Sequence, residues 1–241
     1  MVNPADVDEN KPPGAPQPVG PLDSPDAPRN QRRMVESQMR QRDITDEAVL
    51  AAMEAVPRRE FVLSSLADQA HEDYPLPIGY GQTISQPYIV ALMTQLLHLR
   101  RGDRVLEVGT GSGYQAAILG LLTDQIYTVE IISPLAVEAR ARLRRLGYTH
   151  IQVKVGDGYD GWPEHAPYDA IIVTAAPRET PQPLIDQLAD GGRLVIPVGP
   201  AGANQTLWKI EKHGRTVAST NVTGVLFVPF TRQNPSRGDE A

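Results

Sequence analysis

Apolar positions follow two patterns that change near residue 100. Before it, Val49, Leu50, Met53 and Val56 recur at the spacing of one helix face until Pro57 stops the run. Thr45, followed by the acids Asp46 and Glu47, predicts the N-cap of that helix. From Arg104 onward, short aliphatic runs alternate with helical stretches. The pattern predicts strands over residues 104–108, 126–130, 151–155, 170–173 and 194–197, and helices near 114–122, 134–146 and 181–188. Ser133 with Pro134 opens the second of these helices and Gly147 closes it. Nearly continuous aliphatic strands separated by helices imply a mostly parallel sheet covered on both faces. Residues 207–228 read as strands without helices, which adds an antiparallel edge to an α/β fold. There is no internal repeat.

Two segments fall outside this alternation. Eight of the 22 prolines lie within the first 30 residues, with few sizeable aliphatics between them. Such a stretch cannot bury enough surface to offset its ordering entropy, so residues 1–30 are expected to form a disordered, polyproline-like tail with order beginning near Asn30. Met34 offers an alternative start of translation. Residues 74–87 are expected to be irregular, with Pro87 at the first position of a helix ending near His98. The expected organisation is therefore a tail over 1–30 and one domain over 31–241. Within that domain, 31–100 is a helical extension with a loop, 101–200 an α/β core, and 201–232 the C-terminal strands.

Composition narrows the function. Lys and Arg total 23 against 29 Asp and Glu, a formal charge of -6, which disfavours nucleic acid as a partner. The chain has no cysteine, so disulfides, thiolate metal sites, Fe–S clusters and cysteine nucleophiles are excluded, and a reducing cytosol suits it. No apolar run approaches the roughly 18 residues that cross a bilayer, and the N-terminus has no secretory h-region. No membrane partner and a cytoplasmic location are expected.

The stretch richest in chemistry is Glu107-Val108-Gly109-Thr110-Gly111-Ser112-Gly113-Tyr114, between a predicted strand and a predicted helix. That is the setting of a nucleotide-binding loop. A dinucleotide fingerprint would want Gly or Ala where Tyr114 stands. Glu107 would sit badly beside a pyrophosphate and would suit a ligand carrying an ammonium group. Glu130, 21 residues past Gly109 at the end of the next strand, can accept both ribose hydroxyls. Asp157, flanked by Gly156 and Gly158 after the third strand, can accept from an adenine amino group. Three carboxylates at the carboxyl ends of adjacent strands describe a pocket for an adenosine that bears an amino acid and no phosphate, namely S-adenosylmethionine. The bland alternative is a tight strand–helix turn with solvated acids.

Beyond this loop, the chain resembles the protein-L-isoaspartate O-methyltransferase family over nearly all of residues 31–232. The resemblance is carried by Ile44-Thr45-Asp46, Val56-Pro57-Arg58, Phe61-Val62 and, most specifically, Gln82-Thr83-Ile84-Ser85-Gln86-Pro87. Tyr168 to Pro177, Gly192 to Gly199 and Gly224 to Thr231 also fit. It implies a Rossmann-like, doubly wound sheet with an N-terminal helical extension. It also implies methyl transfer from S-adenosylmethionine to the free carboxylate of L-isoaspartyl residues in damaged proteins and peptides, initiating their repair. By this resemblance Ser85 is the active-site serine, and Thr83 joins it in binding substrate. The cofactor contacts would be Ile78, Gly79, Tyr80, Gly81, Glu107, Gly109, Thr110, Gly111, Ser112, Gly113, Glu130, Ile131, Asp157, Gly158 and Thr231. No metal is implied, and a monomer is expected. A histidine that some relatives carry five residues after the serine is Val90 here.

The residues present suit that chemistry. A carboxylate with a reference pKa near 4 is ionised at neutral pH and can attack a sulfonium methyl without a general base. The five histidines are scattered through the chain, with none near the proposed site. Pro75, Pro77, Ile78, Tyr80 and Ile84 are expected to close over the site. Ser85 could instead serve, with Gln86, only as a helix cap. Among rivals, an amino-adenine methyltransferase would need a Pro-Pro-Tyr-type loop where Ala175-Ala176-Pro177 stands, and a cytosine-C5 enzyme would need a cysteine. A hydrolase would need G-x-S-x-G, but residue 110 is Thr. A non-catalytic module that keeps the fold would bind the cofactor without transferring methyl. The Arg140, Arg142, Arg144 and Arg145 face is expected to be solvated, with Glu138 paired to Arg142.

Overall fold

The computed structural model describes residues 27–233. The proline-rich tail expected over 1–30 lies outside the described residues as far as residue 26. Its last residues open α1 (Ala27–Val35), so helix begins three residues before Asn30. A π-turn over Glu36–Arg40 leads to α2 (Glu47–Ala55), whose face of Val49, Leu50 and Met53 is buried. The cap is Asp46 and not Thr45. The Asp46 carboxylate accepts from the amides of Ala48 (2.9 Å) and Val49 (3.3 Å), while exposed Thr45 makes no side-chain bond.

Residues 74–87 are not irregular. They contain a hairpin of β1 (Leu76–Gly79) and β2 (Gln82–Ile84), antiparallel, with Pro77 opposite Thr83. Proline survives there because a two-stranded ribbon is all edge, so a missing donor can face outward. Leu76, Ile78 and Ile84 point into the core, which leaves Pro77 and Thr83 on the other face. The turn of Gly79, Tyr80 and Gly81 has φ of 93°, 54° and 71°, which glycine adopts freely and tyrosine does not. Pro87 then opens α3 (Pro87–Leu96) as expected.

The α/β core alternates β3 (Arg104–Val108), α4 (Tyr114–Leu122), β4 (Gln125–Glu130), α5 (Ser133–Arg145), β5 (Gln152–Val155), β6 (Tyr168–Val173) and α6 (Gln182–Asp186). The sheet is completed by β7 (Leu188–Val198), β8 (Gln205–His213) and β9 (Thr216–Val225). Strand β7 is longer than expected and α6 correspondingly shorter. The seven strands lie in the order β5-β4-β3-β6-β7-β8-β9, parallel through β7, with β8 and β9 antiparallel at one edge. From β3 the chain moves outward to β4 and β5, then returns to the other side at β6. Such a reversal opens a crevice at the carboxyl ends of the central strands, where α/β sheets bind ligands.

Strand alternation divides the core between two faces. Val105, Ile126, Ile172 and Val195 face the layer built by α1 to α5. Leu106, Val108, Val129, Ile171, Val173 and Leu194 face the other layer, with Leu184 and Tyr168. Glu107 lies two residues from Val105 and so turns into the larger apolar layer, beside its register partner Thr128.

The cap assignment makes a clean test. Asp46→Ala should cost about 1 kcal/mol of stability, whereas Thr45→Ala should be near neutral. Urea-denaturation midpoints of the two variants compare them, and equal losses would reject Asp46 as the cap.

Candidate active site

The glycine loop between β3 and α4 is anchored from three sides. The amides of Gly109 and Thr110 both point to the Val129 carbonyl (2.9 and 3.4 Å), and the amide of Gly113 to the Thr110 carbonyl (2.8 Å). The Gly111 amide donates to Glu130 Oε2 at 2.8 Å, while Glu130 Oε1 accepts from the Ile132 amide at 2.9 Å. Glu130 thus caps the turn after β4 and holds the loop across it. The loop approaches β6 so closely that a Cβ on Gly109, at φ 99°, would stand 2.3 Å from Thr174 Oγ1. Thr174 donates to the Gly109 carbonyl at 2.7 Å.

These elements form one wall of a solvent-open cleft lined by Gln82, Thr83, Val108, Gly109, Gly111, Val129, Glu130, Ile131, Ile132, Gly158, Thr174, Ala175 and Val228 to Thr231. Its outer wall is tied down where Ala176 donates to the Val228 carbonyl (2.9 Å) and Phe230 donates back to Ala176 (3.0 Å). Of the residues expected at the cofactor, the structure brings Gly109, Gly111, Glu130, Ile131, Gly158 and Thr231 into this lining, together with Thr83. The lining has one carboxylate and no Lys, Arg or His. Four loop amides are already bonded within the protein, so the loop does not offer a phosphate its usual cradle of free donors. The donor set fits an adenosine bearing a sulfonium and an amino acid better than a pyrophosphate.

Other expected contacts lie elsewhere. Glu107 is fully buried beneath the loop and lines no part of the cleft. Its Oε2 accepts from Thr128 Oγ1 at 2.5 Å, and Thr110 Oγ1 lies 2.6 Å from Thr128 Oγ1. Its Oε1 has no protein partner. Burial, opposed by the Thr128 bond and assisted by Glu130, pushes its pKa up to about 8. Thr110, Ser112 and Gly113 are therefore loop supports in this geometry. Ile78 packs beneath Gly111, where an added Cβ would stand 3.3 Å from its Cδ1, and Tyr80 sits exposed at the hairpin tip between Gly79 and Gly81. Asp157 is engaged on both oxygens: Oδ1 accepts from the Tyr159 amide (3.0 Å), and Oδ2 from Arg232 Nε (3.2 Å) and the Gln233 amide (3.1 Å). The Arg232 guanidinium also stacks on Tyr159 at 3.5 Å.

Ser85 lies in a neighbouring cleft lined by Pro75, Thr83, Ser85, Gln86, Ile89, Asn204 to Thr206 and Gly224 to Phe227. Thr83 lines both clefts and so marks where they meet. The cap of α3 is Gln86, whose side chain makes no capping bond and binds Asp73 instead. Among the described residues nothing takes the Ser85 hydroxyl, so it is not a structural cap. Val90 is buried in the core, and its carbonyl accepts from Thr94.

Sequence reading missed Arg142. It is not a solvated partner of Glu138, because its Nη1 donates to the Ser112 carbonyl at 2.9 Å and braces the loop from α5. Thr174 was also missed, although its place immediately after a buried strand was a signal for it. Nothing local marked Arg142, whose charge pattern matches that of a solvent-facing helix.

The raised pKa of Glu107 has a consequence for stability. Folding favours its protonated form, so that contribution is intact below the ordinary carboxylate range and is lost as pH rises through about 8. The ligand-free wild type should lose more stability between pH 5 and pH 9 than Glu107→Gln, by urea denaturation. Equal losses would mean that the carboxyl ionises as freely folded as unfolded.

Comparison with known proteins identifies the family. The family model described as Protein-L-isoaspartate(D-aspartate) O-methyltransferase matches residues 29–235. A protein-L-isoaspartate O-methyltransferase of Opitutus terrae is 55% identical over 202 residues, covering 84% of this chain and 87% of the relative. Protein-L-isoaspartate O-methyltransferase 2 of a Polaromonas species is 57% identical over 189 residues, covering 78% and 90%. A solved protein-L-isoaspartate O-methyltransferase superposes with a TM-score of 0.76 at 28% identity, over 83% of this chain and 65% of that chain. A Plasmodium falciparum structure in complex with S-adenosyl-L-homocysteine shares the fold, with a TM-score of 0.74 at 24% identity over 85% and 99%. With most of its length matched by the family model and more than half of the aligned residues identical to such relatives, the chain belongs to the protein-L-isoaspartate(D-aspartate) O-methyltransferase family.

Proposed function

We propose that this chain methylates the free carboxylate of L-isoaspartyl residues in damaged proteins and peptides, the first step of their repair, and that Ser85 and the two clefts carry the reaction. The observation that supports this most directly is the meeting of two unlike clefts at Thr83. One suits an adenosine without phosphate, and the other is a neutral, hydrogen-bonding groove.

S-adenosylmethionine, when bound, supplies a methyl group on a positively charged sulfur. Glu130, Gly109, Gly111, Ile131, Gly158 and Thr231 would hold it, with Glu130 suited to ribose hydroxyls. Asp157 can take part only beside its existing bonds to Arg232 and Gln233. The protein's own task is placement. Neither lining contains a histidine or lysine, and a substrate carboxylate needs no base to become a nucleophile. Ser85 donates its unpartnered hydroxyl to one carboxylate oxygen and leaves the other to react, while Thr83 and the groove orient the peptide. Bringing two reactants into line can lower a barrier by several kcal/mol without any proton transfer. Meeting of opposite charges away from water adds to this, because the charge is neutralised on the way to product.

No helix among the described residues is long and apolar enough to cross a membrane. A cytoplasmic monomer without nucleic-acid or membrane partners completes the proposal, supported by the acidic balance and the lack of cysteine.

The direct experiment is label transfer from S-adenosylmethionine to matched peptides with isoaspartyl or ordinary aspartyl linkages. Only the isoaspartyl peptide should be labelled; equal labelling of both, or of neither, rejects the proposal. Ser85→Ala should retain S-adenosylhomocysteine affinity within about twofold and lower turnover at least tenfold, in line with losing about 1.5–3 kcal/mol from a hydrogen bond to a charged oxygen. Unchanged turnover would remove Ser85 from the mechanism.

A further inference from the structure

We propose that Arg58 is a positioning residue for this reaction: it fixes Ser85 through its carbonyl and places an uncompensated positive charge behind the seat of the substrate carboxylate. The inference rests on the functional reading above. Arg58 begins a 3-10 turn (Arg58–Phe61) after Pro57 and is fully buried. Its Nε donates to the Ala70 carbonyl at 2.8 Å and its Nη2 to the Ser85 carbonyl at 2.7 Å. The guanidinium lies 4.8 Å from the ring centre of Tyr114, itself buried at the start of α4 just past the glycine loop. Its Nη1 has no protein partner. Among the described residues, no carboxylate lies within 4.0 Å of it.

That combination is unusual for an arginine. A buried charge ordinarily has a counter-ion, because leaving water unpaired is costly. Burial pulls the Arg58 pKa down, but arginine starts so high that it stays protonated. Among the described residues, no carboxylate therefore stands within ion-pair distance to balance it. The proposed reaction brings one to Ser85, since the acceptor is an anion and the Ser85 cleft has no Lys, Arg or His in its lining. A cation bonded to the Ser85 carbonyl also polarises the Ser85–Gln86 peptide, so the following amide becomes a stronger donor at the start of α3. A carboxylate binding there gains from both effects, and a neutral amide gains less from each.

The test compares two competitive inhibitors: an isoaspartyl peptide, and the same peptide with that α-carboxylate converted to a carboxamide. The wild type should favour the acid by at least tenfold. Arg58→Gln should cut that preference at least threefold and raise KM for the isoaspartyl substrate, with S-adenosylhomocysteine affinity held within about twofold. Arg58→Lys keeps charge but not the two-point fork, so it should preserve the preference while kcat falls at least fivefold. A purely structural arginine would weaken both inhibitors and the cofactor product alike, which would overturn the inference. If Arg58→Gln does not fold, Arg58→Lys decides alone, and wild-type kcat in that variant overturns it. A wild type that methylates no isoaspartyl peptide would instead defeat the functional reading itself.

Discussion

The carboxylate of Glu130 is the interaction on which the rest of the site depends. It stands at the end of β4, across the chain reversal, and accepts from Gly111 on one side and Ile132 on the other. A single side chain therefore sets the distance between the loop after β3 and the turn after β4. It also uses a backbone donor that a phosphate would otherwise claim. Thr174, just past β6, and Arg142 from α5 brace the same loop from the remaining sides through carbonyls. A loop held in this way is rigid before any ligand arrives, so little ordering entropy remains to be lost on binding.

Placement extends to the acceptor side by a different device. The hairpin of β1 and β2 anchors its inner face of Leu76, Ile78 and Ile84 in the core and leaves Thr83 on the outer face, between the clefts. Ser85 follows where β2 gives way to α3, with its carbonyl taken by Arg58 and its hydroxyl left to solvent or substrate. The backbone is fixed so that one hydroxyl can be spared. This division suits a reaction whose nucleophile is already charged, because orientation and electrostatics remain as the protein's means of acceleration.

Much of the site was legible in order along the chain, and what was not had a spatial cause. Glu107 reads as a cofactor ligand because it precedes the glycines. The period of two in β3, however, turns it with Val105 into the apolar layer beside Thr128, off the lining of the cleft. Asp157 sits at a strand end as expected, yet Arg232, 75 residues later, returns to occupy one of its oxygens. Arg142 looks like one more charge on a basic helix until α5 packs beside the loop. The hairpin was hidden by Pro75 and Pro77, since composition cannot distinguish a broken strand from an edge ribbon that needs no donor there.

The linear pattern alone determined the alternation of strands and helices, the parallel core with its antiparallel edge, the glycine turn, and the serine before α3. Each of these follows from local periodicity, local dihedral preference or a short motif, which neighbouring residues decide among themselves. Tertiary structure alone decided which acids face a ligand, which cations brace a carbonyl, and that two clefts share a threonine. Those outcomes depend on distances between segments tens of residues apart, and on burial, which sets whether a charge is hydrated, paired or left waiting for a partner.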